Sequence, residues 1–290
     1  MRHFIKISKY VGKFPDLVQG AGGNISVKIN NHLIIKSSGT FLKDVTSKSG
    51  FITCRHKPLK QNLLKIKTSS QKAEIKFDQL TEQYKILESS YGISSIETSF
   101  HLVIPSTYIL HTHPVYINIF SCMEGGEQIL TKILKDLPSL FLPYHNPGLA
   151  LGLALSKYKN LPKIIILKNH GVITHSNNPT EALLLTNKVN QILIKYLKSK
   201  KVYRPFKIEN KSANLSKHLF PDSAVYAQIN FSKLSEEKQR VYYEICSAHN
   251  YILNTITALK EKPVFLKPKD VDYILNMTKE KYRIDKIKND

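Results

Sequence analysis

The segment YILHTH, Tyr108 to His113, carries two histidines, His111 and His113, separated by one residue. On an extended strand the side chains at i and i+2 leave the same face, so the two imidazoles stand side by side as half of a tetrahedral metal site. A third histidine, His170, sits in the turn NHG after the apolar run KIIIL, and Gly171 lets the backbone reverse there. If the two strand ends are neighbours, three ring nitrogens converge on one ion at about 2.0–2.1 Å and leave a fourth position open, as a catalytic zinc site requires. Glu97, in IETSF, adds a carboxylate that could bind the ion or take and return a proton. Each feature also has a plain explanation. A His-x-His pair arises by chance on surfaces, His170 could be a capping residue, and an acid such as Glu97 at a helix start makes ordinary capping contacts.

Two further stretches have the chemistry of anion sites. GAGGN (Gly20 to Asn24) offers backbone N–H groups at close approach, and KSSG (Lys36 to Gly39) adds a charge and two hydroxyls, with Asn24, Ser37 and Ser38 as side-chain donors. Neither fits the GxxxxGK[ST] or GxGxxG nucleotide patterns. Taken singly, each is explained as well by a tight turn.

The elements that would position these residues follow from periodicity. The first dozen residues read as a helix, with Phe4, Ile5, Ile7 and Val11 as its apolar stripe. ISVKI and HLIIK are short strands joined by the two-residue turn Asn30–Asn31, and FITC (51–54) is a third strand. Residues 55–75 are basic and aperiodic and read as a loop; 74–89 reads as a helix. ETSFHLVI starts another helix, YILHTH is a strand, and PVYINIFSCM is the helix after it. PGLALGLALSKY reads as a helix, KIIILKNHG as a buried strand ending in a turn, and NPTEALLLTNKVNQILIKYL as a long helix. Beyond residue 201 the pattern becomes polar and interrupted, followed by helical segments over about 234–260 and 268–282. Strands alternating with helices place the chain in the α/β class, with helices layered over a mixed sheet.

Composition narrows the function classes. Hydrophobic content of 42% supports a sizeable core, and no apolar run approaches the roughly 18 residues a membrane span needs. The N-terminal stretch lacks a continuous apolar run followed by a cleavage signal, so a cytoplasmic protein with no membrane association is expected. Cys54, Cys122 and Cys246 are odd in number, far apart and in no CxxC pattern, which fits buried core thiols rather than disulfides. The 43 basic against 22 acidic residues give a net charge of +21. That excess is mostly Lys, spread from Lys6 to Lys288, and reads as compositional drift or as a field for anionic substrates. No basic patch interleaved with aromatics marks a nucleic-acid site, so no nucleic-acid partner is expected.

Taken in order, GAGGNISVK, LIIKSSGT, IETSFHLVIP, YILHTHPVYINIF, YHNPGLAL and LKNHGV closely resemble the class II aldolase/adducin family over about residues 15–198. Within it the chain looks nearest to the rhamnulose-1-phosphate aldolase portion of fused aldolase–dehydrogenase proteins. The resemblance implies a three-layer α/β/α sandwich with a mostly antiparallel central sheet over residues 1–203, and a mainly helical C-terminal extension over 204–290. It implies a homotetramer and a Zn2+ cofactor, another divalent metal being the alternative. The family's metal ligands fall on His111, His113 and His170, and its catalytic carboxylate on Glu97. Its phosphate-binding positions fall on Gly23, Asn24, Lys36, Ser38, Gly39 and Ser95. The implied activity is cleavage of a ketose 1-phosphate, rhamnulose- or fuculose-like, to dihydroxyacetone phosphate and a small aldehyde. The same scaffold supports sugar-phosphate epimerases, a dehydratase and metal-free adducin-like binding modules. Two departures stand out. Ser95–Ile96 replaces a pair of small or hydroxyl residues before the acid, and no tyrosine occupies the place of the proton donor of some aldolases, which leaves Tyr116, Tyr144 and Tyr203 as substitutes. The stretches HLFPDSAVY and EKYR resemble the tail of longer members, with no role readable from sequence.

Overall fold

A computed structural model describes residues 1–289. The elements run α1 (Arg2–Val11), β1 (Asn24–Ile29), β2 (His32–Lys36), β3 (Phe51–Arg55), α2 (His56–Lys65), α3 (Gln71–Gln83), α4 (Thr98–Val103), β4 (Tyr108–Thr112), α5 (Val115–Ser121) and α6 (Gly126–Ile133). They continue with β5 (Ser139–Leu142), α7 (Leu149–Leu155), β6 (Ile164–Leu167), β7 (Gly171–Ser176), α8 (Pro179–Ser199), α9 (Pro221–Tyr226), α10 (Glu236–Ala258), α11 (Pro268–Leu275) and α12 (Thr278–Asn289). One seven-stranded sheet has the order β3-β2-β1-β4-β7-β6-β5. All its pairings are antiparallel except β5 with β6.

Side-chain alternation makes this a three-layer structure. Ile109, Ile165 and Ile173 point into a core shared with Phe100, Leu149 and Phe77 of α4, α7 and α3. Their neighbours in the strands point the other way. Ile164, Ile166 and Val172 meet α5, α8 and α10, while Leu110 meets α1 and Ala182 of α8. The central strands β4, β6 and β7 thus bury apolar residues on both faces, as a sheet covered on both sides requires. The C-terminal helices are not separate from this packing: Ile245, Ile252 and Ile256 of α10 lie in the same cluster as Val115, Ile119 and Val189.

Several details differ from the sequence reading. Residues 56–65 form a helix, because Leu59 and Leu63 make a narrow i,i+4 stripe that the surrounding lysines hide. The short strand SLFL (139–142) and the strand after the NHG turn, GVITHS, had no clear periodicity, since SLFL has only four residues and all six of GVITHS are buried. The segment 268–282 is two helices broken at Asn276–Met277. The Asn30–Asn31 turn is as expected: both residues have positive φ, 47° and 65°, as a two-residue hairpin of type I′ demands.

Register brings the chemical residues together. Asn24, the first residue of β1, is directly opposite His111 near the end of β4. Thr112 pairs with Val172 and Leu167 with Gly171, so the NHG turn lies next to the end of β4. Lys36 ends β2, the hairpin partner of β1. One edge of the sheet therefore collects the starts of β1 and β7 and the ends of β2 and β4.

Candidate metal centre

At this edge Nε2 of His111 lies 3.0 Å from Nε2 of His113 and 3.4 Å from Nε2 of His170. Glu97 Oε1 lies 3.1 Å from His111 Nε2 and 3.4 Å from His170 Nε2. All four ligand atoms fall within 4.8 Å of one another, and all four residues are buried. Four donors at about 2.0–2.1 Å from one tetrahedral ion are separated by about 3.3–3.4 Å, so the four measured separations fit a single small cation. Lone pairs do not crowd together in a buried space without a proton or a metal between them, and the imidazole and carboxylate donors suit a borderline divalent ion.

Each side chain is aimed by local structure. Glu97 stands at the N-cap of α4 but makes no capping bond with its carboxylate. It turns toward the histidines instead, which removes the plain explanation of this acid. His111 is fixed through its other ring nitrogen, Nδ1, which meets the carbonyl of Val172 at 3.0 Å. His170 is held by its own carbonyl, which accepts from Asn118 Nδ2 at 3.2 Å. Burial pushes the Glu97 carboxyl up, but His111 and His170 outweigh it and hold it well below the ordinary range. Burial pulls His170 down to about 4, against the pull of Glu97, so its ring is neutral near pH 7 and free to act as a ligand.

The anion-type residues border the same cavity. Gly23, Asn24, Lys36, Ser38, Gly39 and Ser95 line it together with Glu97, His113 and His170. His111 lies fully buried behind them. Asn24 Nδ2 donates to Ser95 Oγ at 2.7 Å, which locks the two loops together. Lys36 Nζ donates to the carbonyls of Ala21 and Thr40, leaving one hydrogen for a ligand. Burial lowers Lys36 to about 8, with the charge of Glu97 working in the opposite direction. Gly23 has φ +65°, and a side chain there would strike Val18 and the carbonyl of His111 at 2.8 and 2.9 Å.

Three charged residues of this cavity were not singled out from sequence: Asp222, Glu280 and Arg283, from α9 and α12. Asp222 Oδ2 meets His113 Nδ1 at 3.1 Å, and its Oδ1 accepts from Arg283 Nη2 at 2.7 Å. The stretches HLFPDSAVY and EKYR contain them, which was the one available signal. The three tyrosines offered as proton donors do not line the cavity. Tyr116 packs on both Tyr203 and Tyr251, and Tyr144 donates to Asn146. The cavity itself measures about 40 Å3, room for about three water molecules.

Residues 2–194 match the model of the class II aldolase and adducin N-terminal domain. The chain belongs to that family. Among similar proteins, an L-fuculose phosphate aldolase of Methanococcus maripaludis strain C7 is 27% identical over 196 residues, covering 66% of this chain and 92% of the relative. A conserved protein from Thermoplasma acidophilum, in its N-terminal class II aldolase domain, superposes with a TM-score of 0.59 at 24% identity, over 67% of this chain and 92% of that one. A sugar-phosphate aldolase from Thermotoga maritima gives 0.54 at 18% identity, over 71% and 98%. These two structures share the fold of this class II aldolase chain, and the family model stops short of the segment that carries Asp222, Glu280 and Arg283.

Proposed function

We propose that this class II aldolase family member is a zinc-dependent lyase that cleaves a ketose 1-phosphate, of the fuculose or rhamnulose type, to dihydroxyacetone phosphate and a small aldehyde. The observation that carries this reading is the joint geometry: a four-donor cluster spaced for one cation opens on a cavity walled by Asn24, Lys36, Ser38, Gly39 and Ser95. A metal-free binding module has no use for four buried, mutually facing donors. The naming of similar chains as L-fuculose phosphate aldolases supports the substrate class.

His111, His113 and His170 would hold the ion. A divalent cation at that place supplies Lewis acidity toward a carbonyl and stabilises negative charge as it develops there. The chain's own residues do the rest. Lys36 contributes its remaining N–H, and Ser38, Ser95 and the backbone N–H groups at Gly23 and Gly39 add neutral donors, so that a phosphate is fixed at one end of the cavity. That anchor sets the register of the C3–C4 bond against Glu97. As the bond breaks, the C4 hydroxyl loses its proton and C4 becomes the aldehyde, while C3 gains a proton. Glu97 Oε1 is the atom placed to carry that proton, since its oxygen already faces the cluster.

A homotetramer is the assembly proposed with this activity, and light scattering at four times the chain mass would support it. The deciding assay incubates purified, zinc-loaded protein with a panel of ketose 1-phosphates and traps free dihydroxyacetone phosphate. Release of the triose with an aldehyde partner supports cleavage. Recovery of a stereoisomer without free triose identifies an epimerase, and no turnover of any member of the panel overturns the reading.

A further inference from the structure

The segment after residue 203 reaches the centre of the site. Pro221 starts α9 at its first position, which turns Asp222 inward, and Asp222 is buried. One carboxylate oxygen faces His113 Nδ1 at 3.1 Å. The other accepts from Arg283 Nη2 at 2.7 Å, and Arg283 Nε in turn lies 2.8 Å from Glu280 Oε2. The guanidinium also sits over the ring of Tyr226, 5.7 Å from its centroid. A run of side chains thus leads from α12 through α9 to a ring of the donor cluster. The glycine loop is shaped around this contact: a methyl group on Gly22 would lie 2.7 Å from Asp222 Oδ2 and 2.9 Å from His113 Nδ1. No side chain fits there while the carboxylate and the imidazole meet.

We infer that Asp222, delivered by the C-terminal segment, is a positioning residue for the metal site, setting which nitrogen of His113 faces the cluster. The inference rests on His113 being a metal ligand, as proposed above. Hydrogen-bond parity gives the reason. A guanidinium can only donate, so Oδ1 is committed as an acceptor, and Oδ2 also offers only lone pairs. The hydrogen of the His113 ring must then reside on Nδ1, and the lone pair of Nε2 is left pointing at the cluster. The carbonyl of Val172 imposes the same choice on His111. Arg283 and Glu280 hold the carboxylate in place and touch no ligand themselves.

Asp222→Asn tests this with nearly unchanged volume. An amide has one acceptor and one donor end, and Arg283 takes the acceptor. The NH2 then faces Nδ1, the ring hydrogen moves to Nε2, and that nitrogen can no longer bind an ion. Zinc affinity, measured by competition with a chelator, should fall about 10- to 100-fold. Arg283→Met leaves a carboxylate free to accept from Nδ1 but strands two buried acids. It should lower the melting temperature of the metal-free protein more than Asp222→Asn does, yet weaken zinc binding less. A merely structural role predicts that affinity follows stability. Histidine 15N spectra of the metal-free wild type give a readout that needs no variant, and His113 should show hydrogen on Nδ1. Wild-type zinc affinity in Asp222→Asn, hydrogen on Nε2 of His113 in the wild type, or an equal zinc loss in Arg283→Met each overturns the inference. Failure of the wild type itself to bind zinc sinks the metal reading together with it, and is distinguishable because it precedes any comparison of variants.

Discussion

The two walls of the cavity are built by different means. The wall formed by Asn24, Lys36, Glu97 and the three histidines rests on the sheet, where ladder register places Asn24 opposite His111 and the NHG turn beside the end of β4. The opposite wall, Asp222, Glu280 and Arg283, hangs on helices that pack on the sheet domain through Val225, Tyr226 and Ile284 and add side-chain ties: Lys279 with Asp78 at 2.5 Å, Tyr273 with Glu74 at 3.4 Å, and Asp222 with His113. Backbone ladders fix atoms cooperatively, whereas side-chain ties can be broken one at a time.

The largest expected effect lies on the sheet wall. His111→Ala removes the donor that sits 3.0–3.4 Å from each of three others, and should abolish stoichiometric zinc binding and lower cleavage by about 1,000-fold or more. Metal analysis alongside the rate assay checks it, and retained zinc with retained rate would break the assignment of this wall as the chemical one.

Gly22→Ala attacks the seam between the walls. The added methyl must separate Asp222 from His113 or shift the glycine loop, so zinc affinity should drop about tenfold while the sheet stays folded. Far-ultraviolet circular dichroism with chelator competition measures both. Unchanged affinity would mean that the helical wall is independent of the metal.

How far the sequence foreshadowed each wall follows from the same contrast. The His-x-His spacing carries its geometry within three residues, because a strand has period two, and NHG carries its turn in Gly171. The hairpin at Asn30–Asn31 was readable for the same local reason. Asp222, Glu280 and Arg283 are 58 to 61 residues apart at their extremes in the chain and meet only through packing of α9 against α12. Asp222 after Pro221 looks like an ordinary helix start, and an Arg three residues after a Glu looks like a surface pair. Glu97 shows the opposite case: its position reads as a cap, and only the structure turns its carboxylate to the histidines.

On the anion side of the sheet wall, Asn24→Ala removes the tie that holds Ser95, one of the donors proposed to face the phosphate. KM for the phosphorylated substrate should rise about 10- to 100-fold, with zinc content unchanged, since a hydrogen bond to a charged group is worth about 1.5–3 kcal/mol. Equal losses in zinc content and KM would merge two functions that the account keeps apart.

The smallest effect concerns a tie between the walls. Glu74 accepts from Leu149 N and Tyr273, and burial raises its carboxyl to about 7, above its unfolded value of 4.5. The folded state therefore holds more protons between those values, so stability from this group is present below pH 4.5 and is lost as pH rises through about 7. Glu74→Gln should match wild-type stability near pH 5 and exceed it by about 1–2 kcal/mol near pH 8. Urea melts at the two pH values decide it, and a variant weaker at pH 8 would contradict the buried-acid picture.

The most direct test of the central claim is a crystal of the zinc-loaded protein measured on both sides of the zinc absorption edge. The account predicts one anomalous peak bonded to Nε2 of His111, His113 and His170, at about 2.0–2.1 Å from each. A peak elsewhere, or none at these three nitrogens with zinc in excess, would contradict it.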